Sequence, residues 1–288
     1  MLINSKEFNS IKIDNVDFDF SNFYFLHKSY LPSYTTPSHR FLAWFIGFTE
    51  ADGSFIVNNR GDLCFVITQS TMDINVLYYI RDIIGFGKVT PQSLKTSRFV
   101  TQSKKELEIL IGLFNGNIIL PLRKTKLEFF IQSFNTWVTK GKIKLNKVQY
   151  IQNNTILPTL SNSWLSGFTD GEGCFACSIL NKKGFTFNFS ISQYGECNKV
   201  ILDNICTLFR VGKVNKHYVG KDNYEYRVSG LNNCINVFNY YDKYYLLTKK
   251  SLSYILWKQI HKELLNKDHL DLKKRLILKE KIKFINDR

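Results

Sequence analysis

The sequence predicts an α+β protein built of two similar halves, each running α-β-β-α-β-β-α with its strands paired antiparallel. Three observations carry that expectation. The stretch FIGFTEADGSF (Phe45–Phe55) returns as LSGFTDGEGCF (Leu165–Phe175). A fixed order of landmarks follows each copy: CFVITQS (64–70) is answered by NFSISQY (188–194), GFGKV (85–89) by RVGKV (210–214), and LPLRKTKL (120–127) by YLLTKKSL (245–252). Between landmarks the apolar residues alternate between helical and strand spacing in the same order in both copies.

Element by element, Ser38 follows Pro37 as a helix N-cap, and Phe41, Leu42, Phe45, Ile46 and Phe48 supply the apolar face of a helix that Gly53 stops. SFIVNN and LCFVITQ read as a hairpin turning through Asn59, Arg60 and Gly61. MDINVLYYIRDII has helical spacing, GKVTPQ and SRFVTQ form a second strand pair, and KKELEILIGLF and RKTKLEFFIQSFNTWV are two further helices. The second half repeats the scheme: helix 161–171, hairpin 173–192, helix 196–209, strand pair 212–229, and helices near 230–240 and 248–265. A last helix, about 270–286, has no counterpart. The expected organisation is an N-terminal extension at 1–37 without an assigned role, a first half at 38–140, a polar linker at 141–160, and a second half at 161–288.

A hydrophobic content of 44% with 15% aromatic residues argues for a packed chain rather than a disordered one. The balance of 39 Lys+Arg against 24 Asp+Glu gives +15, a field that favours a polyanion, nucleic acid first. The basic excess begins where the repeat begins. Six cysteines follow no framework spacing and read as reduced thiols, and Cys174 and Cys177 lack the second pair that a zinc site needs. No apolar run reaches the roughly 18 residues that cross a bilayer. The first residues lack an apolar core and carry four acids, so the chain is expected to work where it is made.

Each repeated stretch ends on two acids separated by one small residue: Glu50 and Asp52, then Asp170 and Glu172. A lone Asp before Gly at a helix end is ordinarily a turn residue, but duplication changes the reading. Gly47 and Ala51, like Gly167 and Gly171, lie four apart, so each helix carries a smooth stripe where another backbone can approach. If the stripes meet, Asp52 and Glu172 come together beside two negative dipole ends, where each resists ionisation. Divalent cations reverse that cost, and oxygen-only ligands suit Mg²⁺. Metal ions shared between an attacking water and a leaving oxygen are a common device of phosphodiester hydrolysis, so the pattern points to a nuclease.

FIGFTEADG (45–53) and LSGFTDGEG (165–173) resemble the signature helices of the LAGLIDADG homing endonucleases in their single-chain, two-motif form. The resemblance runs from about residue 38 to the end. It implies two pseudo-symmetric halves whose antiparallel sheets form a DNA-binding saddle, with the signature helices packed between them. It further implies that Asp52 and Glu172, with Ala51 and Gly171 beside them, are the metal positions for Mg²⁺, for which Mn²⁺ or Ca²⁺ can substitute. Glu50 and Asp170 are then supports, and Gln69 and Gln193 order water. The basic residues assisting the transition state are Lys124 or Lys126 and Lys249 or Lys250, with Lys124 and Lys249 preferred. Glu50 stands where Asp is more usual, a departure that removes no metal ligand.

Strand phase from the acids selects the residues that would face DNA: Ser54, Ile56, Asn58 and Arg60 in the first half, and Cys174, Ala176, Ser178 and Leu180 in the second. Asn188, Thr90, Gln92, Arg98, Asn215 and His217 complete the set, with Arg98 expected at a guanine edge. Unlike halves imply a long, non-palindromic double-stranded target, a staggered break and a monomer. The rival within the fold is an RNA maturase that assists splicing of its own group I intron, with or without cleavage. A DNA-binding regulator would not need the acids, and a glycosidase is disfavoured by the basic charge. Heavy use of Asn, Ile, Lys, Phe and Tyr fits AT-rich coding, and with the resemblance points to a mitochondrial intron product.

Overall fold

The computed structural model describes residues 17–140, 145–152, 156–180, 184–217 and 222–285. In chain order its elements are α1 (Ser21–Tyr30), α2 (His39–Asp52), β1 (Gly53–Val57), β2 (Leu63–Ser70), α3 (Ile74–Ile84), β3 (Lys88–Pro91), β4 (Thr96–Thr101), α4 (Lys104–Phe114) and α5 (Pro121–Lys140). The second half follows as α6 (Trp164–Glu172), β5 (Gly173–Ile179), β6 (Phe185–Tyr194), α7 (Glu196–Phe209), β7 (Lys213–Lys216), β8 (Asn223–Ser229), α8 (Leu231–Cys234), α9 (Phe238–Lys243), α10 (Lys250–Leu265) and α11 (Leu272–Lys283). Two four-stranded antiparallel sheets result, ordered β1-β2-β4-β3 and β5-β6-β8-β7. The fold is therefore α+β with two pseudo-symmetric halves.

Local chemistry accounts for the starts and stops. The Ser38 hydroxyl accepts from Phe41 N at 3.2 Å and caps α2. At its other end the chain passes through Gly53 in an extended conformation and enters β1 without a loop. α3 ends on Gly85 with φ +81°, a left-handed conformation that a glycine adopts at little cost. The inner faces of both sheets are aromatic. Phe55, Phe65, Phe99, Phe114 and Phe130 fill the first half, and Phe175, Phe187, Phe189, Tyr226, Tyr241 and Trp257 the second. Burying each such ring contributes about 2 to 3 kcal/mol.

Two regions differ from the plain sequence expectation. Residues 17–30, within the stretch left without a role, are built into the first half. Phe23 is fully buried, Asp19 and Asn117 exchange paired hydrogen bonds, and Tyr30 donates to Glu108. Residues 145–152 of the polar linker are held by two asparagines. Asn135 bonds both the N–H and C=O of Val148, and Asn115 bonds Gln149 O and Ile151 N. The cysteines are free thiols, as expected. Among the described residues, no helix is long and apolar enough to cross a membrane.

Candidate active site

The largest contact between any two elements is that of α2 with α6. It depends on the small-residue stripes. A methyl group added at Gly47 would lie 2.0 Å from Trp164 O, and one added at Gly167 would lie 1.9 Å from Trp44 O. At Gly171 it would meet the Ala51 methyl at 2.3 Å. Backbones this close leave no room for larger side chains, so glycine sets the separation of the helices and hence of their ends.

The acids at the sixth signature position are structural. Glu50 is buried and accepts from Ile119 N (2.9 Å), Leu120 N (2.5 Å) and Trp164 Nε1 (2.6 Å). Asp170 accepts from Leu247 N (2.9 Å), Thr248 N (3.0 Å), Thr248 Oγ1 (2.6 Å) and Trp44 Nε1 (2.8 Å). Each half therefore lends its tryptophan to the other half's buried acid. Burial pushes the Glu50 carboxyl up to about 7 against the pull of those donors.

The acids at the eighth position stand at the open end of the junction. Gln69 Nε2 donates to Asp52 Oδ2 at 2.6 Å, and Gln193 hydrogen-bonds Glu172. Register explains why. Gly53 pairs with Ile67 and Gly173 with Ile191, so the end of each second strand returns to the acid that precedes the first. Glu172 is pushed up to about 7, first by burial and then by the charge of Asp52. Asp52 is raised by burial, with Gln69, Lys250 and Arg123 opposing. The charge of Asp52 acts on Glu172 because helix packing brings the acids near one another: a methyl group added at Gly171, next to Glu172, would lie 2.8 Å from Asp52 Oδ2.

The basic residues are where sequence alignment slipped. Arg123 donates to Glu50 O, Gly53 O and Ala51 O, each at 2.8 Å, and Lys250 Nζ donates to Thr169 O and Gly171 O, each at 3.0 Å. Arg123 and Lys250 thus hold the carbonyl ends of α2 and α6 and act on both acids. Lys124 and Lys249, preferred from sequence, are not the pair brought there. Lys124 feels Glu50, and Lys249 turns its amine to Met72 Sδ at 3.7 Å on the wall of the cleft. Lys126 lines a groove beside β1. The matching pairs Thr90–Arg98 and Asn215–Glu225 show that the second hairpin is two residues longer in the second half, which carries the basic residues out of register.

A cleft of about 400 Å³ opens at this junction, lined by Asp52, Gln69, Asp73, Gly171, Lys249 and Lys250 among others. Asp52 lines it and Glu172 stands beside Gly171 at its edge; both carboxylates are disfavoured as anions by burial, and a hard dication would favour them again. The carbonyls of Ala51 and Gly171 each accept one hydrogen bond and retain a second lone pair. Among the described residues no set of three His, Cys, Asp or Glu forms a self-contained metal cluster. Further ligands would have to be carbonyl, phosphate or water oxygens.

The remaining candidates lie on the outer sheet faces or beside them. Ser54 and Ile56 face away from the core, as do Cys174, Ala176, Ser178 and Asn188. Arg98 stands between Thr68 and Thr90 across β2, β4 and β3, and both its Nε and Thr90 Oγ1 are buried without a hydrogen-bond partner. Gln92 accepts from Thr68 Oγ1 at 3.2 Å. Asn215 is opposite Glu225, and His217 Nδ1 lies 3.5 Å from Glu225 Oε2. Three expectations are corrected. Asn58 is not an open reader, because its side chain accepts from Arg60 N and Asp62 N and closes the hairpin. Arg60 sits in that turn, where the hairpin reading put it, so strand phase gives it no outward direction, and Leu180 lies past the end of β5, where its carbonyl accepts from Arg275. Sequence reasoning missed Arg123 and the Glu225–Arg227 pair, although the apolar alternation of Tyr224, Tyr226 and Val228 marks the latter as outward-facing.

Paired carboxylates at a pseudo-twofold helix junction, flanked by two outward sheet faces, define the class of site. The family model described as LAGLIDADG endonuclease matches this chain twice, at residues 45–134 and 165–261. This chain belongs to the LAGLIDADG endonuclease family. Probable intron-encoded endonuclease 4 of Neurospora crassa is 37% identical over 243 residues, covering 82% of this chain but 42% of that relative, so this chain spans less than half the relative's length. Solved structures of the same fold include the meganuclease I-AabMI bound to uncleaved DNA, with a TM-score of 0.72 at 20% identity over 85% of this chain and 99% of that one. Another is I-SmaMI bound to an uncleaved DNA target in the presence of calcium ions, with a TM-score of 0.65 at 17% identity over 86% of this chain and 99% of that one.

Proposed function

We propose that this chain is a monomeric, divalent-metal-dependent homing endonuclease that makes a staggered double-strand break in a long, non-palindromic DNA site. The observation that carries the reading is the meeting of Asp52 and Glu172 at the junction of α2 and α6, each bonded by the glutamine of its own half. A divalent cation held there, Mg²⁺ by preference, would lower the pKa of a bound water and stabilise the leaving oxygen. Asp52 and Glu172 would hold it with the Ala51 and Gly171 carbonyls. Arg123 and Lys250 fix the helix ends and add positive charge to a place where phosphate must approach. Gln69 and Gln193 keep the carboxylates oriented. The net charge of +15 supports a DNA partner, the two unlike sheets support an asymmetric target, and two motifs in one chain support a monomer. Residue usage supports translation from an AT-rich mitochondrial intron.

The test is incubation of the purified protein and Mg²⁺ with mitochondrial DNA that lacks the intron, with sequencing of the cut ends. A single staggered site, lost on chelation and in Asp52→Asn, is expected. Tight binding of group I intron RNA with no cleavage of any duplex would replace this reading with that of a maturase.

A further inference from the structure

The outer face of the second sheet carries an arginine that the cleavage chemistry does not use. Arg227 on β8 donates through Nε to Glu225 Oε2 at 2.8 Å and through Nη2 to Glu225 Oε1 at 2.9 Å. This is a two-pronged bond between residues two apart on one strand, so both project from the same face. Glu225 is the anchored partner. Its side chain is 11% exposed against 43% for Arg227, it also hydrogen-bonds Ser190, and His217 lies against its Oε2. Across the sheet Arg227 stands between Ser190 and Lys213, in a row of small and polar side chains that leaves its outer edge open.

A guanidinium has five N–H donors. With Nε and one Nη2 hydrogen committed to the carboxylate, the end-on pair formed by Nη1 and the other Nη2 hydrogen remains, and among the described residues neither has another hydrogen-bond partner. That pair matches the O6 and N7 acceptors of guanine in a major groove. A carboxylate behind the arginine fixes the plane of the fork before DNA arrives, so less freedom is lost on binding.

We infer that Arg227 is a base-reading residue of the second half, selecting guanine at one position of the target, and that Glu225 is its positioning residue. The inference rests on the reading of the sheets as the DNA face, and it goes beyond it by naming which base one side chain takes. The alternative is an ion pair that only stiffens β8.

The experiment uses a duplex selected for binding to the protein from a random-sequence library and a panel carrying every single base-pair substitution of it, scored both by cleavage and by gel-shift binding. The wild type should prefer G·C over the other pairs by at least about tenfold at one position under the second half. Arg227→Gln and Arg227→Lys should flatten that position while leaving preferences elsewhere unchanged, because lysine keeps the charge but lacks the fork. Glu225→Gln should reduce the same preference several-fold with Arg227 intact. Circular dichroism checks that each variant is folded. A uniform loss across the panel, with no position changed, overturns the inference and leaves the stiffening role. A wild type that binds the panel with preferences but cuts none of it defeats the nuclease reading and still tests Arg227, whereas one that binds no duplex overturns both.

Discussion

At the ends of α2 and α6 the two halves follow the same plan, whereas their sheets carry opposite charges at the same place. Glu50 and Asp170 take the other half's tryptophan, Gln69 and Gln193 hold the acids, and Arg123 and Lys250 close the helix ends. On the outer faces, the strand residue opposite the one before the glutamine is Arg98 in the first half and Glu225 in the second. The difference teaches where the constraint lies. A junction with no spare volume accepts few side chains, while a solvated sheet face tolerates almost any and is free to diverge.

The equivalence at the junction can be broken most severely at the acids. Asp52→Asn and Glu172→Gln are each expected to slow double-strand cleavage about a thousandfold, the several kcal/mol that metal-stabilised charge supplies. Neither should lower the melting temperature, since both carboxylates are disfavoured as anions by burial. An acid whose loss leaves double-strand cutting intact would show that the halves are not equivalent. The next effect is on packing. Gly47→Ala and Gly167→Ala should each destabilise by about 3 kcal/mol in urea titrations, because each methyl would fall about 2 Å from an opposing carbonyl oxygen. A large effect at one glycine alone would argue that the helices cross unsymmetrically.

Tryptophan exchange sharpens the comparison. Trp164→Phe leaves Glu50 two donors, while Trp44→Phe leaves Asp170 three. Both should cost about 1 to 3 kcal/mol, with Trp164→Phe the more damaging, and equal losses would contradict the donor count. The smallest effect belongs to the sheet. Burial alone would raise the Glu225 carboxyl, but the bond to Arg227 and its charge carry it below the ordinary value. Its contribution is therefore present above the unfolded value near 4.5 and is lost as pH falls through the lower folded value. The stability gap between wild type and Glu225→Gln should be about 1 kcal/mol or less at neutral pH and close in acid. A gap that widens in acid would refute the assignment.

Most of the fold was legible because a duplicated sequence repeats its periodicity, and α4 and α7 fall where their apolar spacing put them. The approach of the acids could be read from the small-residue stripes, and Gln69 and Gln193 from the resemblance, while the register that returns each glutamine to its acid belongs to the folded sheet. Of the basic pair, Lys250 was one of the two candidates offered in its half but Arg123 was not a candidate, since the two lie beyond hairpins of different length and only three-dimensional closure brings them to matching carbonyls. α1 escaped because its buried stripe is narrow, with Phe23 and His27 as its buried residues within a stretch of aromatics that face solvent or half-bury. Asn58 misled because strand phase assigns a direction but cannot see that an asparagine will bond its own turn.

The reciprocal loan of indole N–H groups between halves has a consequence for a severed chain. Either fragment alone would strand an ionisable carboxyl in an apolar socket with one donor missing, and would expose a glycine-faced helix to water. Fragments ending at residue 140 and beginning at residue 161 are therefore expected to sediment together as a tight heterodimer when mixed and to aggregate when kept apart.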